Sequence, residues 1–158
     1  MDPTRLVQGL SAGESYWGPG NRCTFLLTGA QSGGTLFIFD CLVASGGGPL
    51  PHRHLAEDET FLLREGMIEF TGGGEVKSVS AGELIFVPRG LVHSYRNVGD
   101  TDALMVTIYS PAGMEGWYRE TFMPVSDPTQ PPPPISDDMI ERMLATGHRY
   151  NIEWVADG

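Results

Sequence analysis

The stretch Gly46-Gly47-Gly48-Pro49-Leu50-Pro51-His52-Arg53-His54-Leu55-Ala56-Glu57-Asp58-Glu59-Thr60-Phe61-Leu62-Leu63-Arg64-Glu65-Gly66 decides how this chain is read. A Gly/Pro loop runs into two histidines one residue apart. In a strand, positions i and i+2 point to the same side, so both imidazoles converge on one point. Glu59 opens the next apolar strand, whose inward face it shares with Phe61 and Leu63. A carboxylate is thereby set beside two imidazoles in an otherwise apolar interior.

A second segment, Gly82 to Asn97, supplies what the first lacks. Pro88-Arg89-Gly90 is a turn signal, and His93 begins the strand after it. A neighbouring antiparallel strand brings His93 to the same point. Three neutral imidazoles and one carboxylate suit Fe(II), Mn(II), Ni(II), Co(II), Cu(II) or Zn(II). They suit Ca(II) poorly, because it takes mostly oxygen ligands. His148, the fourth histidine, lies in the acidic C-terminal region and reads as structural or exposed.

Outward from these segments, short apolar runs punctuated by Gly and Pro predict strands near 22–28, 35–43, 58–65, 67–71, 75–79, 84–87, 92–97 and 102–109, with no helical pattern between 22 and 109. Many short strands with regular turns indicate a sandwich or small barrel. Gly66 and Gly72-Gly73-Gly74 read as hairpin turns. In strand 35–43, Leu36, Ile38 and Leu42 share one face; Phe37, Phe39, Cys41 and Val43 share the other. A strand apolar on both sides is expected to be covered on both, by a second sheet or a dimer partner.

The flanks read differently. Residues 1–20 look irregular, with Tyr16-Trp17-Gly18-Pro19-Gly20 as a turn bracing the core. Pro111-Ala112-Gly113 opens a segment with Trp117, Tyr118 and Phe122, expected as a short helix over one mouth of the barrel. Pro131–Pro134 is a stiff strap. Residues 136–146 read as a helix with Ser136 as N-cap and Gly147 as its end, and Trp154 docks back on the body.

The chain has 158 residues, suiting one domain over 1–158 with a barrel core at about 22–110 and a C-terminal helix and strap at 111–158. Ten basic against 20 acidic residues give a net charge of −10, and Lys77 is the one lysine, so neither nucleic acid nor an anionic membrane surface is an expected partner. Cys23 and Cys41 sit in apolar stretches and read as buried free thiols. With no secretory signal and no apolar run of membrane-spanning length in the sequence, the expected compartment is the cytoplasm.

The two histidine segments resemble the two motifs of the cupins. The first, G-x5-H-x-H-x3,4-E-x6-G, is filled by Gly46, His52, His54, Glu59 and Gly66; the second, G-x5-P-x-G-x2-H-x3-N, by Gly82, Pro88, Gly90, His93 and Asn97. The likeness implies an all-β fold, the cupin double-stranded β-helix or jelly-roll barrel, with short C-terminal helical segments. It implies that His52, His54, Glu59 and His93 bind one divalent transition metal, Fe(II) placed first, and that cupins of this type dimerise, so a homodimer is expected. Asn97 reads as a brace, not a ligand. More finely, Tyr16–Gly20, Gly47–His54 and Pro111–Trp117 resemble bacterial single-domain quercetinase-like cupins.

That resemblance leads to a mononuclear metal-dependent dioxygenase acting on a small aromatic, enol or polyketide-like substrate with O₂. Glu59 is the catalytic candidate as well as a ligand. The alternatives are a non-redox isomerase, cyclase or lyase using the metal as Lewis acid, and a metal-bearing small-molecule binding protein. Expected pocket walls are Phe61, Leu63, Phe70, Tyr95 and Met105, together with Phe86, Ile108 and either Phe39 or Ile38, strand parity being open by one residue. Arg64 and Arg89 read as surface ion-pair partners first and substrate anchors second.

Overall fold

A computed structural model describes residues 4–10 and 13–155. In chain order the elements are β1 (Ser15–Gly18), β2 (Asn21–Leu27), α1 (Gly29–Ser32), β3 (Phe37–Val43), β4 (His52–His54), β5 (Asp58–Glu65), β6 (Met67–Gly72), β7 (Glu75–Ser80), β8 (Leu84–Val87), β9 (His93–Arg96), β10 (Ala103–Ser110), α2 (Glu115–Thr121), β11 (Met123–Pro124), α3 (Asp137–Thr146), a 3₁₀ turn (Gly147–Tyr150) and β12 (Ile152–Trp154). Two antiparallel sheets face each other, one ordered β11-β1-β2-β3-β10-β5-β8 and the other β12-β4-β9-β6-β7. This is the all-β jelly-roll barrel that the strand pattern and motifs predict. Among the described residues, no helix is long and apolar enough to cross a membrane.

Alternation sets the core. In β3, Phe37, Phe39, Cys41 and Val43 are buried, and in β10 so are Ala103, Met105, Thr107 and Tyr109. Rings of Phe25, Phe37, Phe39, Tyr109 and Tyr118 pack at centroid distances of 4.7–6.5 Å. Cys23 and Cys41 are buried free thiols opposite each other on β2 and β3.

Several expectations need correction. Residues 15–18 are a strand, not a turn: Pro19-Gly20, with Gly20 at φ 74°, closes a two-residue hairpin that pairs Gly18 with Asn21. Gly73 and Gly74 do make the β6–β7 hairpin, both at positive φ, but Gly66 does not make one. Its φ of 82° turns the chain from one sheet into the other, since β5 pairs with β10 and β8 while β6 pairs with β7 and β9. A one-turn helix, α1, interrupts the stretch expected to be free of helix, held by a Thr28–Gln31 capping box. Ser136 caps α3 as expected, accepting from Met139 N at 3.2 Å, and α3 ends at Gly147 as expected; Gly147 stays right-handed, however, and opens a 3₁₀ turn that Asn151, at φ 60°, ends. The even face of β3 is only half-buried, so the expected cover on that side is not supplied within the described residues.

Candidate metal centre

β4 is three residues long, with His52 and His54 buried and Arg53 turned outward to Glu153 at 2.7 Å. Both of its neighbours matter. On one side His52 pairs with His93 at the start of β9. On the other, β12 pairs Trp154 with His52 and Ile152 with His54, so the C-terminal strand docks beside the ligand strand. The Pro88-Arg89-Gly90 turn is anchored by Gly90 N donating to His54 O at 2.8 Å. Glu59 enters from β5, facing inward between Tyr109 of β10 and Val87 of β8.

These placements bring together the four residues singled out in the sequence. His52, His54, Glu59 and His93 are all buried, and each offers one donor atom within 4.8 Å of the others. Donors on one ion with bonds of about 2.1 Å lie no more than about 4.2 Å apart, so a shift of a few tenths of an ångström closes the set. His52 Nδ1 donates to Leu50 O at 2.7 Å and His93 Nδ1 to Leu91 O at 3.0 Å, which directs both Nε2 atoms to the centre. His54 has both ring nitrogens buried with no hydrogen-bond partner. Buried imidazoles without partners beside a carboxylate are costly for a protein core and fit a cation.

The electrostatics agree. Burial raises the Glu59 carboxyl, but His54 beside it and a 3.0 Å hydrogen bond from His93 Nε2 outweigh that and hold it at about 2. Burial depresses His52 to about 3, keeping it neutral, and also lowers His54. His93 is raised: burial opposes its charge, and the bond to Glu59 overcomes it.

Glu57, which spacing did not single out, is also buried, and burial together with the Glu59 charge pushes it up to about 7. It shares strand parity with Glu59, while Asp58 between them turns out to Arg89. Asn97 is the expected brace: its Nδ2 donates to Val43 O at 3.0 Å and Thr101 O at 2.8 Å. His148 is exposed, and Arg64 and Arg89 pair with Asp40 and Asp58 at the surface.

A cavity of about 460 Å³ opens on His52, His54 and Glu59. Its walls differ from those expected. Of the predicted wall residues, Tyr95 borders it; Phe39, Phe61, Leu63, Phe70 and Met105 pack in the core, Phe86 is exposed, and Ile108 lies on the outer face of β10. The walls come instead from Tyr109, from Trp117, Tyr118 and Phe122 of the α2 region, and from Met143 and Trp154 of the C-terminal segment. No Lys or Arg stands among the described residues that line it.

Residues 39–109 match the Cupin_2 family model, a cupin domain. This part of the chain is a cupin domain. An uncharacterized protein of Aquifex aeolicus (strain VF5) is 38% identical over 63 residues, which are 40% of this chain and 51% of that one. This chain thus spans about half the length of that relative. A predicted oxalate decarboxylase of Thermotoga maritima shares the fold, with a TM-score of 0.59 at 19% identity over 68% of this chain and 99% of that one. A recombinant oxalate oxidase in complex with glycolate is similar at 30% identity and a TM-score of 0.50, over 58% of this chain and 51% of that one. The barrel therefore has the cupin fold, and its cupin domain carries a three-histidine, one-glutamate site able to hold one metal ion.

Proposed function

We propose that this cupin is a mononuclear metal-dependent dioxygenase acting on a small, uncharged aromatic, enol or polyketide-like substrate. The observation that carries this reading is the cavity: aromatic and aliphatic walls, no Lys or Arg among the described lining residues, and His52, His54 and Glu59 at its base. Apolar walls stabilise a ring by burial, and the few polar groups set its orientation. A divalent transition metal, Fe(II) first among those the donor set suits, supplies Lewis acidity and, when redox-active, chemistry toward O₂.

The chain's own residues do the rest. His52, His54, Glu59 and His93 hold the ion, and four protein ligands leave coordination positions free on the cavity side. Glu59 borders the cavity, so it is the carboxylate within reach of a substrate hydroxyl proton. Trp117, Tyr118 and Met143 line the same cavity with largely apolar surface.

The chain is further proposed to work as a homodimer. The outer face of the seven-stranded sheet carries two cross-strand rows, Ile38–Ile108–Thr60–Phe86 and Asp40–Val106–Leu62–Leu84. Phe86 and Leu84 are each 57% exposed on its edge strand. An apolar sheet face ending in an unpaired edge fits a second copy of itself.

The deciding experiment is anaerobic purification with elemental analysis, followed by O₂ uptake with Fe-, Mn- or Ni-loaded protein and a flavonol, catechol or 1,3-diketone. Substrate-dependent O₂ consumption supports the dioxygenase. Turnover that persists without O₂, including with Zn(II), replaces it by Lewis-acid isomerase, cyclase or lyase chemistry. Binding without product under both conditions leaves a metal-bearing binding protein.

A further inference from the structure

Two of the three clustered histidines have an acceptor for the ring proton that faces away from the centre, and the third does not. His52 Nδ1 has Leu50 O at 2.7 Å, and His93 Nδ1 has Leu91 O at 3.0 Å. His54 Nε2 faces Glu59 Oε1 at 3.6 Å, so it points to the centre, but its Nδ1 has no hydrogen-bond partner. Facing that Nδ1 at 4.0 Å is Glu57 Oε2, which is itself buried and without a partner. A donor and an acceptor, both shut from solvent and both orphaned, stand opposite each other.

We propose that Glu57 is the positioning residue for His54, accepting its Nδ1 proton and so presenting Nε2 to the metal; the proposal rests on the metal-centre reading. The reasoning is tautomeric. A neutral imidazole carries one proton, and a cation at Nε2 requires that proton on Nδ1. A buried N–H without an acceptor is costly, and that cost opposes metal binding. Moving Glu57 Oε2 and Nδ1 about 1 Å closer makes a normal N–H···O bond. The backbone keeps His54 from moving away: its carbonyl accepts from Gly90 N at 2.8 Å, and it pairs with Ile152 of β12. Among the described residues the neighbouring carboxylates are otherwise engaged: Asp58 is bonded to Arg89, Glu59 lies on the Nε2 side, and the two oxygens of Glu115 accept from Gly29 N and Gly113 N.

The test is Co(II) and Zn(II) affinity by chelator competition on the full chain, for wild type, Glu57→Gln, Glu57→Ala and Glu57→Met. Met fills the space without an acceptor, which guards against a poorly folded Ala variant. The expected result is binding weakened about 10–100-fold in the Ala and Met variants and within about 3-fold of wild type in Gln, whose amide oxygen accepts the same proton. A second readout is the His54 Nδ1–H resonance in Zn(II)-loaded, ¹⁵N-labelled protein, expected in wild type and Gln and lost by solvent exchange in Met. Equal affinities in all four proteins overturn the role of Glu57, as does a Gln variant as weak as Met. Wild type that takes up no stoichiometric Co(II) overturns the metal centre itself.

Discussion

Replacing His93 by alanine tests the charge pairing at the heart of the site separately from the ligand role proposed for it. In metal-free protein the Glu59 carboxylate is 4% exposed, and its Oε1 sits 3.0 Å from His93 Nε2 and 3.6 Å from His54 Nε2. His52 makes no hydrogen bond to Glu59 and has the smallest effect on it of the three imidazoles; its Nδ1 donates to Leu50 O. Removing His93 therefore leaves the buried Glu59 carboxylate without its 3.0 Å partner, facing His54 at 3.6 Å and the neutral His52. Breaking a buried pair from one side costs about 3–5 kcal/mol. For a chain of this length that lowers the melting temperature by roughly 6–20 °C. His52→Ala loses one hydrogen bond and ring packing but strands no charge, so its loss is the smaller of the two. The assay is thermal unfolding by circular dichroism in excess chelator, with Glu59→Gln/His93→Ala as the double variant. Neutralising Glu59 is expected to recover at least about 2 kcal/mol of the loss. If His93→Ala melts within about 2 °C of wild type, or the double variant is no more stable than the single, the pairing argument is refuted.

Three shorter predictions follow from the scaffold around the site. Asn97→Ala strands the carbonyls of Val43 and Thr101 and the Gly99 N–H, and at about 1 kcal/mol for each is expected to cost about 3 kcal/mol in denaturant unfolding. Gly48→Ala places a Cβ 1.9 Å from Tyr95 O at φ 150°; the loop that walls the cavity must shift, at a cost of at least about 3 kcal/mol, read as a lower denaturation midpoint. Leu84→Glu/Phe86→Glu puts two charges on the outer sheet edge and is expected to convert a two-chain particle into single chains in sedimentation, with the melting temperature of dilute protein little changed.

The clustering of His52, His54, Glu59 and His93 was legible because strand geometry and turns reduce to spacing. His-x-His fixes parity, and Pro88-Arg89-Gly90 announces the turn that returns His93 to the same level as His52. The walls were not legible, for identifiable reasons. β10 alternates without a break, Ala103, Met105, Thr107 and Tyr109 facing inward, so Ile108, three residues from Met105, cannot share its face and lies outside. Gly66 and Gly73 both sit at positive φ, yet one crosses between sheets and the other closes a hairpin; the residue type serves both. Trp117 and Trp154 reach the cavity through α2 and through β12 beside β4, contacts between segments about 60 to 100 residues from His52. No local pattern encodes them. Glu57 did leave a trace, the i, i+2 parity with Glu59 in Glu57-Asp58-Glu59, but it is outweighed by a motif that asks for a single glutamate.

The ligands lie within the matched segment 39–109, whereas Trp117, Tyr118, Phe122, Met143 and Trp154 lie beyond it. The candidate metal centre therefore lies wholly within the matched segment while much of the cavity wall lies outside it, and a protein that shares the barrel need not share the cavity. Electrostatics turns this into a measurable difference from the glycolate-bound oxalate oxidase. In this cavity a dicarboxylate meets no Lys or Arg among the described lining residues, and Glu59 already offsets part of a divalent ion's charge. Placing a second uncompensated anionic charge in an apolar interior costs several kcal/mol. An aromatic ring burying about 150–250 Å² gains about 4–6 kcal/mol. Co(II)-loaded protein, followed by its visible absorption, is therefore expected to bind a flavonol or catechol at least about 100-fold more tightly than oxalate, a gap of about 2.7 kcal/mol that is well inside those two contributions. Oxalate saturating the spectral change at the lower concentration would show that an anion is compensated here after all, and the uncharged-substrate reading would fall with it.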